Sequence, residues 1–251
     1  MNPPDISFPE KLLQAIRTSK HVVAFTGAGI SAESGIPTFR DAQTGLWARF
    51  KPEELATPEA FAANPRRVWE WYAMRRRRVR EAQPNPGHLA LAAMEQHAPR
   101  FTLITQNVDG LHQRAGSRRV LELHGSILRV RCPRHHHVIE DFQDPDSGDD
   151  VPNCPVCGQF LRPDVVWFGE ELPPGIFQEA ETAAANCEVF FSIGTSTQVY
   201  PAAQLPFDAL ESGAVVVEIN PQPTPLTPSA SFAFQGPSGQ ILPSLLKAVW
   251  G

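Results

Sequence analysis

Short apolar runs, each closing on small or polar residues, punctuate the chain. His21-Val22-Val23-Ala24-Phe25-Thr26, Phe101-Thr102-Leu103-Ile104-Thr105, Val189-Phe190-Phe191-Ser192-Ile193 and Val215-Val216-Val217-Glu218-Ile219 are continuous rather than alternating. Continuous runs of this length predict strands buried on both faces, as in a parallel sheet. Ahead of the first run, Leu12, Leu13 and Ile16 recur at helical spacing. Ser7 reads as the N-cap of that helix, with Pro9 in the first turn and Glu10 closing a capping box. Residues 43–90 are rich in helix formers but broken by Pro52, Pro58, Pro65, Pro84 and Pro86, which predicts several short helices. Residues 88–97 and about 240–249 predict two more helices, and Val165–Glu170 reads as extended. Strands alternating with helices predict an α/β fold built on a parallel sheet.

Each strand run delivers the chain to residues suited to a ligand. Gly27-Ala28-Gly29-Ile30-Ser31-Ala32 has the G-x-G-x-x-A form of a dinucleotide loop. In that form Gly27 permits a tight turn, Gly29 lets backbone approach a pyrophosphate, and Ala32 is small enough for close packing. A helix opening there would aim free N–H groups at phosphate. The tail Glu33-Ser34-Gly35-Ile36-Pro37-Thr38-Phe39-Arg40 is too polar for an ordinary amphipathic helix, and Pro37 interrupts it. It reads as an ordered loop laid over a ligand. The other strands end in Gln106-Asn107-Val108-Asp109, Gly194-Thr195-Ser196 and Asn220. Ligands of open parallel sheets sit at such ends. A dehydrogenase would place a second strand with its acidic residue within about 30 residues of the glycines, whereas roughly 60 residues of helical sequence intervene here, which argues against hydride transfer.

Composition narrows the classes. The chain has 251 residues, 42% hydrophobic and 20% charged, enough for a substantial core. A net charge of −5 argues against direct nucleic-acid binding. Apolar runs are far shorter than a membrane span, and the N-terminal residues show no signal pattern, so a cytoplasmic protein without membrane contact is expected. Four cysteines do not suggest a disulfide scaffold. Two further candidates for chemistry stand out. Asn107 and Asp109 serve either a ligand or a capped turn. His124, in Leu123-His124-Gly125, is either structural or a general base suited to neutral pH.

Taken together, Gly27–Arg40, Gln106–His112, Leu123-His124-Gly125, the Cys pairs and Gly194-Thr195-Ser196 resemble the sirtuins, the NAD-dependent protein-lysine deacylases. The resemblance runs from about residue 20 to 245. It implies an enzyme that cleaves the nicotinamide–ribose bond of NAD and moves the acyl group from lysine to ADP-ribose. It implies His124 as general base on the alkylimidate intermediate and Asn107 positioning the ribose and a water. Asp109 and Ile36 would hold the nicotinamide carboxamide, and Gln106 would contact its ribose. Gly27, Ala28, Gly29, Ile30, Glu33, Phe39 and Arg40 would form the NAD loop, with Gly194, Thr195, Ser196, Asn220 and Ser238 on the adenosine side. Val166, Phe168, Gly169, Glu170 and Tyr200 would meet an acyl-lysine peptide added as an extended strand. The expected architecture is a Rossmann-like domain of residues 1–42, 91–129 and 162–251. Residues 43–90, a helical insertion, and 130–161, a zinc-ribbon-like insertion, form the small domain. A monomer is expected. A predominantly acetyl-specific enzyme, an ADP-ribosyltransferase and a non-catalytic NAD sensor are the alternatives.

Two segments refine the expectation. Tyr72 and Arg75 are three apart, so they share a helix face, and a phenol beside a guanidinium suits a carboxylate. The competing reading makes Arg75, Arg76, Arg77, Arg78 and Arg80 a solvated basic face. Tyr72-x-x-Arg75 resembles the signature of class III sirtuins, which implies removal of succinyl and malonyl groups as well as acetyl. The metal site departs from the sirtuin pattern of two Cys pairs. Cys154 and Cys157 form one pair, but the other is Cys132 with His135. Three Cys and one His form a recognised zinc set, with His136 or His137 as substitutes for His135, and loss of zinc as the alternative. Residues 144–153 read as an acidic mobile stretch, and Cys187 as a core residue.

Overall fold

The continuous apolar runs become the central strands of a six-stranded parallel sheet. The computed structural model describes residues 6–38, 51–140, 142–144 and 150–251. The strands are β1 (Val22–Thr26), β2 (Phe101–Thr105), β3 (Val120–Glu122), β7 (Val189–Ile193), β8 (Val215–Asn220) and β9 (Phe232–Gln235). They lie in the order β3-β2-β1-β7-β8-β9. Every residue of β1, β2 and β7 is buried, as continuous runs require. Alternation divides their side chains between two cores. Ala24, Leu103 and Phe191 face one, and Val23, Phe25 and Phe190 face the other.

The first face is covered by α1 (Glu10–Thr18), the helix Pro86–His97 and the helix Ser238–Trp250, through Leu12, Leu91 and Leu242. The second is covered by Pro174–Ala185 and Leu205–Glu211, through Ala180, Ala184, Leu205 and Ala209. The helices are numbered in chain order. After α1 come α2 (Ala28–Ala32), α3 (Pro52–Leu55), α4 (Pro58–Ala63), α5 (Pro65–Glu81), α6 (Pro86–His97), α7 (Leu111–Arg114), α8 (Pro174–Ala185), α9 (Leu205–Glu211) and α10 (Ser238–Trp250). Among the described residues, no helix is long and apolar enough to cross a membrane.

Helix α1 corrects one expectation. It begins at Glu10 with Pro9 as N-cap and no side-chain capping bond, so Ser7 is not the cap. Glu10 instead accepts from Arg17 Nη1 at 2.9 Å, one helix face along. The expected apolar face, Leu12, Leu13 and Ile16, is buried. Helix α6 starts two residues earlier than expected because Asn85 caps it, accepting from Gly87 N at 2.9 Å and His88 N at 3.4 Å. The Asn85 amide also donates to Ile30 O (2.7 Å) and Ser34 Oγ (3.0 Å), tying α6 to the loop after β1.

Helices α3–α5 pack on a second, antiparallel sheet ordered β5-β4-β6, from Val138–Ile139, Gly125–Arg131 and Arg162–Val165. This small sheet begins before residue 130 and ends after 161. Helix α5 joins its two cores. Trp71 and Tyr72 pack with Ile127, Val165 and Trp167, while Trp69 packs with Val130, Cys132, Cys154 and Leu161. The run of arginines on α5 is not a uniform solvated face. Arg76 is fully buried: Nε and Nη2 donate to Asp144 at 2.9 and 2.8 Å, and Nη1 donates to Ile127 O at 2.8 Å. Its guanidinium lies over Trp69 and Phe142. Arg77 and Arg78 are exposed, as that reading expected. Asp144, at the start of the stretch expected to be mobile, is only 8% exposed at its side chain and is itself tied to α5; residues 145–149 lie outside the described residues.

Parallel register sets the strand ends level. Thr26 pairs with Thr105 and with Ile193. The three following residues, Gly27, Gln106 and Gly194, therefore emerge side by side where the strand order reverses, between β1 and β7. At Gly27 the sterics differ from the tight turn expected there. Gly27 has extended backbone (φ −126°) that any residue adopts. A Cβ on Gly27 would lie 2.8 Å from Gly194 O, and one on Gly29 2.7 Å from Gly194 Cα. Gly194, at φ +59°, would bring its own Cβ within 2.4 Å of Ile30 N. These glycines pack backbone against backbone.

Candidate active site

A cleft of about 790 Å³ opens at those strand ends, between the parallel sheet and the α3–α5 unit. Its walls include Gly27, Ala28, Gly29, Gln106, Asn107, His124, Gly194, Thr195, Ser196 and Asn220, all expected from sequence. Tyr72, Arg75, Val166, Phe168, Gly169, Glu170 and Tyr200 line the same cleft. Residues of both expected sets, cofactor and substrate, thus share one cavity.

His124 follows β3 and lies half-buried. Its Nδ1 is 3.0 Å from Gln106 O. A carbonyl only accepts, so Nδ1 carries the proton and neutral His124 keeps its lone pair on Nε2. Burial lowers the His124 pKa below the ordinary imidazole value, partly opposed by the Gln106 carbonyl. A base that is neutral near pH 7 and fixed in one tautomer results.

Asn107 and Asp109 are locked by a buried network that the sequence reading missed. The Asn107 amide donates to Gly27 O (3.0 Å) and Ser31 Oγ (3.2 Å), and its backbone N–H donates to Thr105 Oγ1 (3.0 Å). This leaves Asn107 Oδ1 as the atom offered to a ligand. Ser31 donates to Asp109 Oδ2 at 2.8 Å, and Leu111 N donates to Oδ1 at 3.0 Å. Burial raises the Asp109 pKa, opposed by those donors and by Arg114 and Arg75. Behind Ser31 stands His88. Its Nδ1 accepts from Asn85 N at 3.3 Å, so its Nε2–H points to Ser31 Oγ at 3.4 Å. His112 lies beside His88, rings 4.8 Å apart, and its Nε2 is 2.9 Å from Thr26 Oγ1. Burial pushes these imidazoles down to about 4 for His88 and about 3 for His112, so both are neutral supports. A sequence signal existed: His88 follows a Pro-rich start and His112 falls three residues after Asp109.

A smaller hollow of about 40 Å³ adjoins this network, lined by Ala28, Ser31, Ile36, Asn107 and Asp109, with Arg75 on its wall. Asp109 and Ile36 are therefore together, as expected for a nicotinamide end. Three expected cofactor residues are not brought to the cleft as side chains. Ile30 is fully buried in the core. Glu33 accepts from Gly239 N (2.9 Å) and Ser238 Oγ (3.3 Å), so Glu33 takes a first-turn N–H of α10 and Ser238 is tied to Glu33. Phe39 and Arg40 lie outside the described residues.

Tyr72 and Arg75 do share a face of α5. The Arg75 guanidinium lies 4.5 Å from the Trp71 ring centre and 5.4 Å from that of Tyr72. Tyr72 Oη accepts from Trp167 Nε1 at 2.9 Å. Burial lowers the Arg75 pKa, opposed by Tyr72 and Asp109, and burial raises that of Tyr72. The expected extended stretch is strand only through Val165. Beyond it Val166 N donates to His124 O (3.0 Å) and Phe168 N to Ala56 O (2.9 Å), which fastens the segment between base and helical unit. Glu170 is held by Arg162, with Nη2 at 2.8 Å, and by Trp167 N at 2.9 Å. Burial alone would raise the Glu170 pKa, but Arg162 and Trp167 N–H hold it below the usual value.

At the far end of the small sheet, the thiols of Cys132, Cys154 and Cys157 converge within 4.8 Å of one another. Cys132 Sγ and Cys157 Sγ are 3.6 Å apart. Zinc–sulfur bonds of about 2.3 Å in a tetrahedron put sulfurs about 3.8 Å apart, so the donor set fits zinc. Backbone N–H groups of His135 and Val156 point at Cys132 and Cys154 Sγ, each at 3.4 Å, and favour thiolates. Zinc here would be structural, distant from His124's chemistry. Cys187 is a core residue, its thiol pushed up to about 12 by burial.

Comparison with known proteins agrees with this geometry. An NAD-dependent protein deacylase of Methylococcus capsulatus is 48% identical over 250 residues, covering 97% of this chain and 98% of the relative. The crystal structure of a Sir2 homologue–NAD complex matches with a TM-score of 0.91 at 48% identity, covering 97% of this chain and 94% of that one. Sir2Af2 bound to a myristoylated histone peptide matches with a TM-score of 0.77 at 38% identity, over 95% and 94% of the two chains. The sequence profile of the Sir2 family spans residues 27–201. With its strand-end glycines, buried Asn107–Asp109 network and base-like His124 in one cleft, this chain belongs to the Sir2 family of NAD-dependent protein deacylases.

Proposed function

We propose that this sirtuin removes succinyl and malonyl as well as acetyl groups from protein lysines, with NAD as co-substrate. The observation that carries the acyl reading is Arg75, stacked on Trp71 beside Tyr72, in the same cleft as His124 and Asn107. A half-desolvated guanidinium next to a phenol suits a carboxylate, which it binds with two parallel hydrogen bonds. Acetyl-lysine lacks that carboxylate and would rest on Trp71 and Tyr72 alone.

In this reading the small hollow with Asp109 and Ile36 takes the nicotinamide end, and Gly27–Gly29 and Gly194–Ser196 take the phosphates and adenosine side. His124 Nε2 accepts a proton from a ribose hydroxyl. Its Nδ1–H stays on Gln106 O and keeps the ring aligned. Asn107, held by Gly27 and Ser31, presents Oδ1 to the ribose or a water. Val166, Phe168 and Tyr200 flank an acyl-lysine peptide. The bound NAD and histone-peptide complexes of relatives support this assignment of cofactor and peptide. Two units divided near residues 43–90 and 130–161, a monomeric state and a cytoplasmic location belong to the same proposal.

Steady-state assays with matched acetyl- and succinyl-lysine peptides test it. Arg75→Met removes a charge-assisted pair worth about 1.5–3 kcal/mol, so kcat/KM for succinyl should fall about 10- to 150-fold. The acetyl peptide should change by no more than about threefold on that same scale, since it forms no such pair. Unaltered succinyl turnover in Arg75→Met would remove Arg75 from acyl reading. Nicotinamide release without acyl peptide, with label transferred to protein, would indicate ADP-ribosyl transfer instead.

A further inference from the structure

We propose that the fourth ligand of the zinc site is His137, with His135 outside the ligand set. The proposal rests on reading the three thiols as a zinc site. The chain has four cysteines, and Cys187 lies in the core of the parallel sheet, so a fourth ligand has to be another residue type. Two equivalent turns frame the site. In one, His136 N donates to Cys132 O (2.9 Å) and Cys132 N donates to His137 O (3.1 Å). In the other, Gly158 N donates to Cys154 O (2.9 Å) and Cys154 N donates to Gln159 O (2.7 Å). Both reverse through a left-handed residue, His136 at φ +54° and Gly158 at φ +73°.

That equivalence sets His135 opposite Cys157, which is what the C-x-x-C spacing suggests. The side chains do otherwise. His135 is exposed, and the contact it makes with the cluster is through its backbone N–H on Cys132 Sγ. His137 is half-buried, and its Nε2 lies 3.6 Å from Cys154 Sγ. A tetrahedron with bonds of about 2.3 Å to sulfur and 2.0–2.1 Å to nitrogen has an S···N edge of about 3.6 Å. The left-handed turn at His136 is what returns the next side chain to the Cys154 thiol; the group mutually within 4.8 Å is the three thiols, so zinc would draw the ring further in. The hydrogen bond from Cys132 N to His137 O then holds His137 beside its ligand partner. Three thiolates and one imidazole make a recognised closed structural set.

The test uses the full chain, with bound zinc measured directly and cobalt(II) as a spectroscopic substitute. Wild type should hold one zinc per chain and give the cobalt spectrum of three thiolates and one nitrogen. His137→Ala should surrender zinc to a competing chelator at least about tenfold more readily, the lower bound for loss of a supporting group around a metal. His135→Ala and His136→Ala should match wild type. His137→Cys should restore tight binding and strengthen the thiolate-to-cobalt charge-transfer bands. The proposal is overturned if His135→Ala loosens the metal and His137→Ala does not, or if both match wild type. It is overturned too if His137→Cys, which covers the case of an alanine variant that fails to fold, leaves the cobalt spectrum unchanged. Wild type without zinc would instead overturn the reading of the site itself.

Discussion

Replacing Asp144 with Ala should be among the most damaging single changes on the surface-facing side of α5. The reason is the state in which it leaves Arg76. That guanidinium is fully buried, and its two bonds to Asp144, 2.8 and 2.9 Å, are the contacts that neutralise it. The remaining bond, to Ile127 O, satisfies a donor but carries no charge. Breaking a buried pair from one side costs about 3–5 kcal/mol, because the partner stays charged and dry. At about 2–4 °C per kcal/mol for a chain of this size, Tm should drop by about 6–20 °C. The exposed pair Arg66–Glu70, on the same helix and at the same 2.9 Å, supplies the control. Its partners are 60% and 45% exposed, so Glu70→Ala should cost about 0.3–0.5 kcal/mol. Calorimetry on both variants, with zinc content checked, decides the matter. The double change Arg76→Met/Asp144→Leu should recover much of the loss that comes from Arg76, since an apolar pair of similar volume carries no desolvation penalty; the contact of the partly exposed Arg80 Nη1 to Asp144 Oδ2 (3.2 Å) is lost in both variants. If Asp144→Ala melts within about 2 °C of Glu70→Ala, less than one kcal/mol on that scale, the burial argument for this pair is wrong.

His124→Ala should abolish acyl transfer while calorimetric titration still detects NAD binding, and retained turnover would remove its role as base. Because burial lowers the His124 pKa, the acid limb of wild-type kcat/KM should lie below pH 6.5, where the imidazole gains a proton. A limb at or above 6.5 would contradict that environment. His88 makes a stability prediction: its folded pKa of about 4 is below the unfolded value, so the unfolded chain takes up the proton first as pH falls. Stability is fully present above about pH 6.5 and declines toward pH 4, by roughly 3 kcal/mol from this residue. His88→Gln should flatten that decline in urea titrations, and an unchanged slope would show that His88 is not the group responsible.

Local patterns carried the reading far where burial is continuous. The runs at Val22, Phe101, Val189 and Val215 could be little else than interior parallel strands, and level strand ends then assembled Gly27, Gln106 and Gly194. What escaped was decided by distant partners. Five arginines in six positions look alike in one dimension. Trp69, Tyr72, Arg76 and Val79 fall at helical spacing on the buried face, a signal the reading of one solvated basic face passed over, while Asp144, 68 residues away, was not foreseeable. Glu33 looked like part of a ligand loop because its partner, the start of α10, lies more than 200 residues on. C-x-x-C spacing points to His135, but spacing says nothing of the left-handed turn at His136, after which His137 Nε2 lies 3.6 Å from Cys154 Sγ.

The glycine packing at the point where the strand order reverses limits how this enzyme can change. Gly27, Gly29 and Gly194 press main chain against main chain, so at these three positions the cleft has no side chain to vary. Neither loop can be exchanged alone. A graft of the β1 loop from another nucleotide-binding protein would succeed only with its matching β7 loop, because each is the mould of the other. Under the proposed assignment, variation in what the enzyme accepts is displaced to the opposite wall, onto α5 and the segment after β6, where side chains and not backbone line the cleft.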